Sequence, residues 1–139
     1  MRMHRETITV RGQPRQLVDV TKEVAAVVTR SGIAVGLCQV FIQHTSAGLV
    51  IQENADPAVL RDLARWLENL APESPEYEHQ DEGPDDMPAH LRSLITRTGE
   101  TIPVENRKMM LGTWQALYLF EHRAATRARK LVVTVTGID

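Results

Sequence analysis

The sequence predicts the α+β class: one compact domain with largely antiparallel β-sheets and two to three helices. Three observations carry this reading. Strand-like segments follow one another mostly in hairpin order, one strong amphipathic stripe marks a long helix, and 139 residues suit a single hydrophobic core.

Glu6 to Val10 and Arg15 to Val18 read as short strands joined by a turn at Gly12 to Pro14. Asp19 or Thr21 can cap a helix over Lys22 to Arg30, where Val20, Val24, Val27 and Val28 keep helical spacing and Ser31-Gly32 supplies the stop. Val35 to Ile42 is apolar enough for a central strand, and a further strand over Gly48 to Glu53 follows the polar break His44-Thr45-Ser46. Asp56 as cap and Pro57 at the first helical position start the strongest helix, which carries Leu60, Leu63, Ala64, Leu67 and Leu70 on one face. Pro72 and Pro75 end it. Glu73 to Asp86 shows no periodicity, only acidic loop, before a short helix near Pro88 with Leu91, Leu94 and Ile95 on one side. Thr101 to Val104, Met109 to Leu111, Trp114 to His122 and Leu131 to Thr136 complete the strands.

Composition narrows the function classes. With 42% hydrophobic and 24% charged residues the chain is ordinary for a globular protein, and two Trp, two Tyr and two Phe leave the core mainly aliphatic. A net charge of −2 and scattered basic residues exclude a broad field for nucleic acid or anionic lipid. Arg123, Arg127, Arg129 and Lys130 form the one basic cluster, and it reads as a solvated turn between strands. The lone Cys38 allows no intrachain disulfide and fits a reducing compartment. Met1 to Val10 holds no apolar signal region, and no apolar run reaches membrane-spanning length, so the expected location is cytoplasmic.

The chemistry gathers around histidines. The loop from Tyr77 to His90 holds His79, Asp81, Glu82, Asp85, Asp86 and His90, and a long irregular connection of this kind often has a function. With Asp86 or Met87 leading into a helix at Pro88, His90 falls in its first turn, where exposed N–H groups disfavour an imidazolium; a neutral histidine there is a competent metal ligand or acid–base group. His44 lies at a strand end beside Thr45 and Ser46, whose hydroxyl and N–H groups can hold a phosphate. Gln115 and Glu121 share a strand face but stand about 20 Å apart, too far to meet one small ligand within a subunit. No GxxxxGK[ST], GxGxxG or GxSxG motif is present, which excludes the standard nucleotide cradles and disfavours a nucleophilic hydrolase.

His44-Thr45-Ser46-Ala47-Gly48, Glu53-Asn54-Ala55-Asp56-Pro57, His79 with Gly83-Pro84-Asp85-Asp86-Met87-Pro88-Ala89-His90, and Gly112-Thr113-Trp114-Gln115 followed by Glu121-His122-Arg123 resemble the YjbQ-like family over nearly the whole chain. The resemblance implies a homotrimer, matching polar residues in a cleft near subunit contacts, and a thiamine-phosphate synthase-type transferase activity, in some members a secondary one. It carries over to His44, Asn54, His79, Asp81, Asp86, His90, Gln115 and Glu121. The resulting expectation places His44, Asp86, His90 and Glu121 in catalysis and Thr45, Ser46, Asn54 and Gln115 on a small phosphorylated metabolite. His44, His79, His90 and Asp81 would hold a divalent ion, zinc or magnesium. The alternatives are a non-catalytic protein that binds a metal or phosphometabolite, and a hydrolase using metal-bound water on three histidines.

Overall fold

The computed structural model describes residues Met1–Asp139. Two antiparallel sheets form it. The larger contains β1 (Arg2–Arg11), β8 (Ala128–Ile138), β3 (Val35–Ile42), β5 (Gly99–Glu105) and β6 (Lys108–Met109) in that order, and the smaller orders β2 (Leu17–Asp19), β7 (Gln115–Glu121) and β4 (Ala47–Glu53). Three helices, α1 (Thr21–Ser31), α2 (Pro57–Leu70) and α3 (Asp86–Ile95), complete the α+β fold.

Alternation explains which faces meet. In β3 the even-numbered Cys38, Val40 and Ile42 are buried while Val35, Leu37 and Phe41 are exposed. The inward set joins Leu131, Val133 and Val135 of β8, Ile102 and Val104 of β5, Leu49 of β4, and Leu117 and Leu119 of β7 in one core. Val24, Val27 and Val28 insert the α1 stripe into that core, and Gly32, at φ 69°, closes the helix in the left-handed region.

The structure departs from the expected hairpin at the amino terminus. β1 pairs with β8 and β2 with β7, so the turn at residues 12–14 carries the chain from one sheet to the other. Gly12 permits that crossing: a Cβ there would lie 2.5 Å from a Glu121 carboxylate oxygen. α2 begins as expected, with the Asp56 side chain accepting from the Ala58 N–H at 2.9 Å. α3 starts at Asp86, earlier than Pro88, so His90 sits one turn above Asp86 and outside the first turn. No helix is long and apolar enough to cross a membrane.

Candidate metal centre

The helical repeat builds the site. Residues four apart on a helix lie on one face, so Asp86 and His90 of α3 point the same way. The 73–85 loop then brings His79 back over them. His79 Nε2 lies 2.6 Å and His90 Nε2 3.1 Å from the same oxygen, Asp86 Oδ2, and Glu82 Oε2 stands 3.8 Å from His79 Nε2. One side-chain atom from each of His79, Glu82, Asp86 and His90 could serve as a metal ligand, and these four atoms lie within 4.8 Å of one another; the imidazole rings meet edge to face with centroids 5.5 Å apart.

The tautomer of His90 is set by its other nitrogen. Nδ1 lies 3.0 Å from the Thr45 carbonyl oxygen, which can only accept, so Nδ1 carries the proton. A neutral His90 therefore turns the bare lone pair of Nε2 toward the Asp86 carboxylate. Two acceptors 3.1 Å apart need a cation between them, a proton or a metal ion. An Nδ1–H bonded to a backbone carbonyl is also the usual support behind a metal-binding Nε2.

Asp86 is 2% exposed and is balanced by Arg123, whose Nη1 donates to Oδ1 at 2.8 Å. Burial opposes the Asp86 charge. Hydrogen bonds with His79 and Glu82, and the charges of His90 and Arg123, outweigh it and hold the pKa below the usual carboxylate range. Arg123 also donates from Nε to Asp85 Oδ2 at 2.8 Å and from Nη2 to the Glu82 carbonyl at 2.9 Å. Its hydrogen bond first, aided by the Ala124 N–H, lowers the Asp85 pKa to about 2 against the smaller effect of burial.

Other expected site residues lie apart from this cluster. His44 Nε2 accepts from the Lys130 N–H at 2.9 Å, so its lone pair is engaged and it does not join the four ligand atoms. Burial, with the charges of Arg129 and Lys130, pushes its pKa down, and only Glu121 opposes them. His44, Thr45 and Ser46 line a separate cavity of about 450 Å³ whose walls include no Lys or Arg. Asp81 is exposed and outside the cluster. The Asn54 amide donates to the Thr113 carbonyl at 3.0 Å, and Gln115 Oε1 accepts from the Gly112 N–H at 2.8 Å, so both tie down the turn before β7.

Glu121 is fully enclosed. Its Oε1 accepts from Arg129 Nε at 2.8 Å, its Oε2 from the Arg123 N–H at 3.1 Å and also from Arg129 Nη2, which in turn donates to Ser46 Oγ at 3.0 Å. The expected solvated turn is thus corrected at two positions: Arg123 and Arg129 are buried and ion-paired, while Arg127 and Lys130 are exposed. Burying a guanidinium is costly without compensating partners, here carboxylates, and nothing local in the sequence names them. Glu82, Asp85 and Arg123 were absent from the expected ligand set. Proximity to His79 in the acidic loop was the only signal for Glu82.

Fold and site together define a class: small two-sheet α+β proteins with a His–Asp–His cluster where an acidic loop enters α3. The model of the UPF0047 protein YjbQ-like family matches residues 6–138, and the chain belongs to that family. It is 48% identical over 137 residues to the UPF0047 protein sll1880 of Synechocystis, covering 98% of this chain and 93% of that one. With YjbQ of Escherichia coli O157:H7 it shares 35% over 135 residues, 96% and 98% of the two chains. Among solved structures, a protein of unknown function from Sulfolobus solfataricus superposes with a TM-score of 0.88 at 26% identity, over 98% of each chain. An uncharacterised family member from Clostridium acetobutylicum gives 0.86 at 33%, over 94% and 99%. These relatives are named for the family or as proteins of unknown function. That corrects the expectation of a thiamine-phosphate synthase-type transferase, because membership of this family supports no such activity.

Proposed function

We propose that this protein binds one divalent ion of the zinc class at His79, Asp86 and His90, with Glu82 as a fourth group. The observation that carries the reading is the convergence of two imidazole Nε2 atoms on one Asp86 oxygen, with His90 held by Thr45 in the tautomer that bares Nε2. Zinc bonds of about 2.0–2.1 Å place neighbouring tetrahedral ligands about 3.3 Å apart, a value that falls within the 2.6, 3.1 and 3.8 Å separations of these side chains. Two nitrogen donors favour zinc over magnesium or calcium, which prefer oxygen. The side chains of His79 and Glu82 are 40% and 66% exposed, so the ion would keep a side open to water or a small ligand. Chelator competition on protein stripped of metal tests this. The expected result is one zinc per chain, with a loss of at least tenfold in affinity in His90→Ala and His79→Ala. Absence of stoichiometric zinc uptake overturns the reading.

We propose further that the protein is a homotrimer, a number suggested by the family resemblance. The uncovered outer face of the large sheet supports self-association: Pro103, Leu37, Thr136 and Met3 form one cross-strand row, and beyond the polar row of Thr101, Gln39, Thr134 and Arg5, Phe41 stands beside Val132. Light scattering should give about three times the 15.6 kDa chain mass. Leu37→Lys should shift it toward one chain, and a monomeric wild type contradicts the proposal.

A further inference from the structure

We propose that Arg123, braced by Asp85, is the residue that makes this centre select a zinc-class ion over a hard cation such as calcium. The inference rests on the metal-centre reading and concerns a residue that would not touch the ion.

The geometry separates the two oxygens of Asp86. Oδ2 faces both imidazoles, while Oδ1 accepts from Arg123 Nη1 at 2.8 Å. Arg123 is not free to release Oδ1. Nε is engaged with Asp85 Oδ2 at 2.8 Å, Nη2 with the Glu82 carbonyl at 2.9 Å, and the guanidinium is one-tenth exposed. Asp85 is itself fixed by the Ala124 N–H at 2.9 Å. The planar fork thus spans the loop that carries Glu82 and the start of the helix that carries Asp86.

Two consequences follow for a bound cation. Asp86 can offer one oxygen only, because its second is occupied; calcium takes six to eight oxygens and often uses carboxylates through both, whereas tetrahedral zinc needs one atom per ligand. A guanidinium beside the ligating carboxylate also offsets part of its negative charge. Hard cations, bound almost wholly by charge, lose more from that than an ion bonded to two imidazole nitrogens. Groups behind metal ligands commonly change metal affinity by about 10–100-fold when removed.

The test measures zinc and calcium dissociation constants, by chelator competition and by calorimetry, in wild type, Arg123→Lys and Asp85→Asn. Lysine keeps the charge but cannot bridge three acceptors in one plane. Asp85→Asn weakens the brace without altering Arg123 or Asp86, and it remains informative if Arg123→Lys does not fold. The expected result is a zinc-to-calcium preference reduced at least tenfold in Arg123→Lys and by less in Asp85→Asn, through weaker zinc binding, stronger calcium binding or both. A purely structural role lowers both affinities together and leaves the preference unchanged; that outcome overturns the proposal. Wild type without zinc uptake overturns the metal centre as well, so the two failures are distinct.

Discussion

At the scale of single residues, the unpaired ring atom of His122 has the clearest consequence. His122 is fully buried; the Thr96 hydroxyl donates to the Arg92 carbonyl at 3.1 Å, so His122 Nε2 is the donor to that hydroxyl, and Nδ1 has no partner. Burial first, then the charges of Arg92 and Arg129, pushes its pKa down to about 3. Unfolded, the ring binds a proton near pH 6.5; folded, it does not until about pH 3. The unfolded state therefore holds the extra proton between those values, and stability falls as pH falls through that window, by at most about 1.4 kcal/mol per pH unit for this group. His122→Gln should flatten the dependence of unfolding free energy on pH between 6.5 and 5. Equal slopes in the two proteins contradict a neutral buried ring. The acidic loop and both of its histidines were legible because residue types alone mark metal or acid–base chemistry. The enclosure of Glu121 by Arg129 was not: the two are joined across a turn by side chains, and such a pair leaves no periodic signal.

At the scale of elements, α2 combines the strongest sequence signature with light packing. Its cap, its Pro57 and its Leu stripe were all visible in the sequence, since each depends on neighbours within a turn or two. Yet only Leu67 is buried, Trp66 is 60% exposed, and a groove of about 490 Å³ lies between the helix and the small sheet. α2 should therefore open locally before β3 and β8, whose inward residues form the core. Asp56→Ala removes the cap and costs about 1 kcal/mol, which speeds amide exchange in α2 about fivefold. Exchange in α2 as slow as in β8 contradicts this account of its packing. The pairing of β1 and β2 was misread for the opposite reason. Adjacent short strands suggest a hairpin, but their partners β8 and β7 are distant in sequence, and partner choice depends on a core that assembles from the whole chain.

At the scale of the whole molecule, the two sheets position the candidate site by bringing together three distant segments. The Thr45 carbonyl after β3 holds His90, the loop before α3 supplies His79 and Glu82, and Arg123 after β7 clamps that loop from the far side. The meeting of Asp86 with His90 follows from the helix starting at Asp86, two residues before the expected Pro88; the exclusion of His44 depended on Lys130, a β8 residue whose N–H takes up its lone pair. The measurement that tests this arrangement most directly is X-ray absorption at the zinc edge on protein carrying one zinc per chain. The account predicts two imidazole nitrogens at about 2.0–2.1 Å with the remaining ligands oxygen and no sulfur. A three-imidazole shell, an all-oxygen shell, or a spectrum unchanged by His90→Ala contradicts it.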